Sequence, residues 1–147
     1  MDQSDWVNQH RLLCEWVEKF YQYFKDKIDF PSFTASISPL KVKLGENYRT
    51  TVKFKGELKN GFFDNKVVNQ TTGKTNWHVD KETFPKSSKT NGGILSGNLN
   101  VQKSYVCSTK DLEKGQYRVF IQAYNHPVIG LETRELVTEE IVEIEII

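Results

Sequence analysis

The residues able to do chemistry are few and scattered. Cys107 with His78 or His126 is the one set from which a thiol nucleophile and its base could be assembled, because a reactive thiolate needs an imidazole within hydrogen-bond reach. A metal centre would need His10, His78 and His126 grouped by local spacing, with each other or with carboxylates, and they lie far apart along the chain. Cys14 and Cys107 make no ligand pattern and read as small buried hydrophobes. Gly73-Lys74-Thr75 carries the last residue types of a phosphate-binding loop. The full motif needs a glycine where Val68 stands and a helix afterwards, so a turn is expected instead. Asn69-Gln70-Thr71 is a glycosylation triplet, and no leader accompanies it. The expectation is a chain without catalytic residues, metal ligands or cofactor, and not an enzyme.

Two constellations suited to binding remain. Lys74, Lys81, Lys86 and Lys89 surround a polar stretch, residues 80–93, with Trp77 and Phe84 interleaved. Cations beside stackable rings are what single-stranded nucleic acids and other polyanions engage. Residues 31–110 carry thirteen basic and five acidic groups, whereas residues 111–147 carry three basic and eight acidic. Strands complementing one another across a sheet are one reading of that asymmetry, and a basic face for an anionic partner is the other.

The second constellation is helical. At 100° per residue, Trp6, Leu13, Val17, Phe20, Phe24 and Ile28 fall within about 40° of one line, which predicts a core face on a helix over residues 5–28. Leu12, Trp16 and Tyr23 form a second set about 100° away. The apolar arc then approaches about 200°, twice what packing on one surface uses. Such a helix is wedged between two surfaces, and the second can be a partner molecule. Pro31 ends it, because a residue before proline avoids the helical region.

Beyond Pro31 the apolar period is two. Phe33, Ala35 and Ile37 alternate with polar residues, as do Leu40, Val42 and Leu44, and then Tyr48, Thr50, Val52 and Phe54. Segments 62–69 and 75–79 flank Thr71-Thr72-Gly73-Lys74 and predict a hairpin. Leu99, Val101, Tyr105 and Cys107 define a further strand, Tyr117, Val119, Ile121 and Ala123 another, and Val142, Ile144 and Ile146 the last. Phe120 and Tyr124, on the other face of the Tyr117 strand, are the expected seat of the helix. Six to eight short strands between turn signals predict an antiparallel sandwich or barrel.

Leu112-Glu113-Lys114-Gly115-Gln116-Tyr117-Arg118-Val119-Phe120-Ile121-Gln122-Ala123 resembles the turn and penultimate strand of immunoglobulin-like and fibronectin type III-like domains. The segment from Ile37 to Glu46 is similar to their first strand and the turn after it. The resemblance implies a tyrosine corner, with the Tyr117 hydroxyl bonded back to main chain and Gly115 permitting the approach. No cysteine pair stands at sandwich spacing, so antibody-type domains are excluded. The expected organisation is a mainly β chain, an amphipathic N-terminal helix (1–30) followed by an antiparallel immunoglobulin-like β-sandwich (31–147), as one structural unit.

A chain of 147 residues with 37% hydrophobic and 27% charged content suits one globular domain and is too apolar for a disordered one. The acidic start lacks the basic and apolar regions of a signal peptide. No stretch reaches about 18 apolar residues. A cytoplasmic protein without membrane association is expected. The functional expectation is protein binding or oligomerisation through the helix and adjoining sheet face, with Leu12, Trp16 and Tyr23 as contacts. The alternative is polyanion or nucleic-acid recognition through Lys74, Trp77, Lys81, Phe84, Lys86 and Lys89.

Overall fold

The structure, a computed structural model, describes residues 3–27, 31–83, 93–126 and 134–147, with helix side chains described over 8–21. The chain divides into two compact units, Met1–Phe30 and Pro31–Ile147. The first contains α1 (Gln3–Lys27). The second contains, among its described residues, seven strands: β1 (Ser32–Ser38), β2 (Lys41–Val42), β3 (Asn47–Asn69), β4 (Thr75–Val79), β5 (Leu95–Ser108), β6 (Gly115–Asn125) and β7 (Glu135–Ile146). The protein is mainly β with one N-terminal helix.

β3 organises the pairing. Its first half lies antiparallel to β1, with Phe33 opposite Phe54, and to β5, with Tyr48 opposite Cys107. From Phe62 onward it pairs instead with β6, where Phe62 faces Tyr124, and with β4, where Lys66 faces Trp77. β7 continues antiparallel beyond β6, and β2 runs parallel to β7. The sheet is therefore mixed and nearly barrel-shaped, which corrects the purely antiparallel expectation. The reason lies at Pro39. Without an N–H it cannot extend the β1 ladder, and the chain resumes pairing against the last strand instead.

Segments expected as separate strands, 48–54 and 62–69, are one continuous strand bent at Leu58–Gly61, where the β5 register shifts. Asn60 takes a left-handed φ of 52° there, a conformation asparagine tolerates. Its N–H donates to Ser96 Oγ and its Nδ2 to the His126 carbonyl. Its own carbonyl accepts from Gly93 N–H. Gly61 is needed for space: a Cβ there would lie 2.6 Å from Leu58 Cδ1 and 2.8 Å from its Cβ.

The alternation written into β3 becomes burial. Tyr48, Val52 and Phe54 point inward and meet Phe63 and Val67 from the second half, Val119 and Ile121 from β6, and Ile144 and Ile146 from β7. Phe33, Phe54 and Phe63 pack ring on ring, with centroids 6.2–6.4 Å apart. Each geometry adds a modest preference to the large area these rings bury. Within that core Asn65 Nδ2 donates to Thr50 Oγ1 at 2.8 Å, and Tyr105 Oη donates to Asn65 Oδ1 at 2.5 Å. The pair of bonds ties both halves of β3 to β5. At the start of β6 the Tyr117 hydroxyl donates to the Glu113 carbonyl and accepts from its N–H. Lys103, on the inward side of β5, reaches Asp80 at 3.0 Å and also Glu82, just beyond β4.

Gly61→Ala should cost about 1–3 kcal/mol of stability by overpacking against the buried Leu58 side chain. Urea unfolding would read it as a lower midpoint at unchanged slope.

Candidate functional site

On α1, Leu12 and Trp16 are exposed, Trp16 to 71%. The Tyr23 side chain lies outside the described residues. Within the unit that holds the helix, Leu13, Val17 and Phe20 of the expected core face are exposed as well. Trp6, Phe24 and Ile28, the rest of the expected core face, lie outside the residues whose side chains are described. Cys14 is exposed on the same helix rather than buried, and Cys107 is the buried thiol. No described helix is long and apolar enough to cross a membrane.

The structure brings only part of the lysine constellation together. Lys74 lies in the turn between β3 and β4, Trp77 is half exposed on β4, and Lys81 follows β4. Phe84, Lys86 and Lys89 fall outside the described residues. Trp77 and Lys81 line an open cavity of about 410 Å³ with His78, Cys107, Lys110 and Asp111. Gly73, with a φ of 74°, belongs to the β3–β4 turn, and a strand rather than a helix follows it, so nothing of a phosphate loop is formed.

Cys107 and His78 share that cavity without forming a nucleophile pair. The Cys107 thiol is 3% exposed and contacts Asn65 Nδ2 at 3.7 Å. Burial, reinforced by the charges of Asp64 and Asp80, pushes it up to about 11, so it is held as a thiol, the unreactive form. Both His78 ring nitrogens are engaged: Nδ1 with Tyr48 Oη at 2.6 Å, Nε2 with Asp111 at 3.2 Å. Burial raises the Tyr48 phenol far above its ordinary value, so it is held as a neutral hydroxyl. The Asp111 carboxylate can only accept, so Nε2 carries a proton. The imidazole is fixed between a buried phenol and a surface carboxylate. Among the described residues no group of three or more His, Cys, Asp or Glu side chains could hold a metal ion.

Two features were not singled out from the sequence. The first is a row across four strands on the outer face. Lys66 stands opposite Trp77 on β4 and opposite Phe120 on β6, and Phe120 stands opposite Ile141 on β7. The Lys66 ammonium lies 6.0 Å from the Trp77 ring and 5.6 Å from the Phe120 ring, a cation–π arrangement. Tyr124, by contrast, is buried against Phe62 with centroids 5.2 Å apart, and the Arg134 guanidinium covers both rings.

The second is Asp64. It is 1% exposed, and neither carboxylate oxygen has a hydrogen-bond partner. Arg134 Nη1 lies 3.9 Å away, beyond hydrogen-bond range. Neighbouring Gln122 is committed to Glu139 and Tyr124. Burial raises the Asp64 carboxyl to about 7, opposed chiefly by the Arg134 charge. The sequence held one signal: Phe62-Phe63 are apolar on successive positions, so both faces of that half of β3 are covered, and an acid beside them is buried whichever way it points.

No family model matches the chain, and neither a curated protein nor a solved structure does.

Folding raises the Asp64 pKa from 3.8 to about 7, so the folded state keeps a proton that the unfolded chain releases. That contribution is intact below about pH 4 and is lost as pH rises to about 7. A difference of that size between the folded and unfolded carboxyl corresponds to up to about 4 kcal/mol. Asp64→Asn should therefore be more stable than the natural chain at pH 8, with the gap shrinking toward pH 4. Urea midpoints of the two proteins across that range check it.

Proposed function

We propose that the chain is a non-enzymatic protein-interaction module built on an immunoglobulin-like β-sandwich. Several particulars support the fold reading. β1 and β5 flank one half of β3, while β4, β6, β7 and β2 are assembled on the other. In that type of sandwich these would be the two facing sheets, and the first strand would likewise be divided between them. The Tyr117 hydroxyl, closed on Glu113 main chain at 2.8 and 2.9 Å, has the form of a tyrosine corner. No cysteine pair joins the halves.

The functional reading rests on one observation, the exposed apolar circumference of α1: Leu12, Leu13, Trp16, Val17 and Tyr21 are all more than half exposed. A run of this breadth in water carries a free-energy cost, at roughly 25 cal/mol for each Å² of apolar surface, which association removes. Aromatic residues in that setting mark interfaces. The partner would be another protein or a second copy, in the cytoplasm, with no membrane involved.

A second reading has its own observation. Trp77, Lys81 and Lys110 line one open cavity, and neither ammonium has a carboxylate partner among the described residues. A polyanion such as single-stranded nucleic acid would use this arrangement of ring and cations.

Trp16→Ala combined with Tyr23→Ala should reduce association by tenfold or more, about 1.4 kcal/mol, and leave the unfolding of the strand-bearing unit unchanged. Sedimentation equilibrium of the natural and altered chains reads the first, urea unfolding the second. A natural chain that stays monomeric and binds no protein sinks the reading. For the alternative, affinity for a single-stranded oligonucleotide should fall steeply with added salt and be lost in Lys81→Gln with Lys110→Gln. Salt-independent binding rules it out.

A further inference from the structure

We infer that the outer face formed by β4, β3, β6 and β7 binds the same face of a second copy of this chain, about a two-fold axis running along β6. The apolar content of the face is the row already described, in which Trp77 is 47% and Ile141 52% exposed, with Phe120 between them. Beside Phe120 the surface falls into a groove of about 490 Å³, lined by Lys66, Val68, Arg118 and Phe120. What identifies the occupant is charge. Lys66 on β3 has no carboxylate partner among the described residues. Glu139 on β7 accepts from the neutral Gln122 amide at 2.9 Å and has no cation partner among them. The face thus carries an unpaired positive charge on one side of β6 and an unpaired negative charge on the other.

Strand order turns this into geometry. β3 and β7 flank β6 at equal strand spacings of roughly 4.8 Å. Rotation about an axis along β6 lays β3 of one copy over β7 of the other. Lys66 then stands over Ile141 of the second copy beside its Glu139, while Glu143 stays with Arg118 of its own chain at 3.5 Å, and the two-fold repeats the contact in reverse. Phe120 meets its own counterpart at the centre. Ile141 fills the β3 side of the groove. An isologous interface requires a surface complementary to itself, and opposite charges placed symmetrically about Phe120, with Arg118 beside it held by Glu143 of its own chain, provide that. A protein partner of other sequence would need only one of these signs.

Interaction through α1 would use other residues, and the test keeps the two apart. Sedimentation equilibrium of the full chain should show mass rising toward a dimer with concentration. Lys66→Glu and Glu139→Lys should each be monomeric over the same range, because each sets like charges against one another twice. Mixed in equal amounts, the two variants should regain the dimer, since both reciprocal contacts are then opposite in sign. The same restoration is expected when both chains also carry Trp16→Ala and Tyr23→Ala. Ile141→Gln, which alters no charge, should weaken the dimer as well. Urea unfolding of each variant establishes that it is folded. A natural chain monomeric throughout overturns the inference, as does a charge variant that dimerises like the natural chain, or a mixture that stays monomeric.

Discussion

The bend in β3 is the constraint on which the strand-bearing unit depends. A single strand of 23 residues gives its first half to β1 and β5 and its second to β4 and β6. The transfer happens within Leu58–Gly61. Four main-chain groups at Lys59 and Asn60 find partners outside β3 there: Lys59 N–H on Asn125 Oδ1, the Lys59 carbonyl on His126 N–H, Asn60 N–H on Ser96 Oγ, and the Asn60 carbonyl on Gly93 N–H. These bonds replace the ladder pairing that β3 gives up at the bend. The bond network explains why segments remote in sequence, near 95 and 125, meet at one corner.

From that corner the interior follows. Both halves of β3 direct alternate residues inward, so the core is filled by a strand facing itself across the bend, with β6 and β7 completing it. The arrangement leaves room for polar side chains only if they are matched. Asn65, Thr50 and Tyr105 satisfy one another, and a fully bonded buried network fixes geometry. Asp64, the neighbour of Asn65 pointing the opposite way, has no such partner. Two adjacent residues thus lie in very different electrostatic states because successive strand positions face opposite sides.

How much of this was legible in the sequence follows from which forces act locally. Inward and outward alternation at Tyr48, Thr50, Val52 and Phe54, the hairpin around Gly73, and the Tyr117 bond to main chain are short-range consequences of side-chain type, and each is present. The fusion of two strands at Leu58–Gly61 was not legible, because glycine and asparagine there signal a turn as readily as a bend. The parallel pairing of β2 with β7 joins residues a hundred positions apart, beyond any local pattern. The candidate surfaces divide the same way. Leu12 and Trp16 were visible through helical periodicity. The Trp77, Lys66, Phe120 and Ile141 row was not, since it exists only once four strands are in register.

Lys103 has a consequence for the molecule's behaviour in a crowd. β5 borders β3 on one side, and no described strand covers its other side. A long strand with an open flank is a template on which further chains can stack into fibrils. Lys103 points inward from that strand and is held by Asp80 and Glu82. A strand from a stranger laid along β5 would have to displace those carboxylates or entomb an ammonium beside them. Among the described residues, the ion cluster therefore makes this flank a costly place for a foreign strand to add.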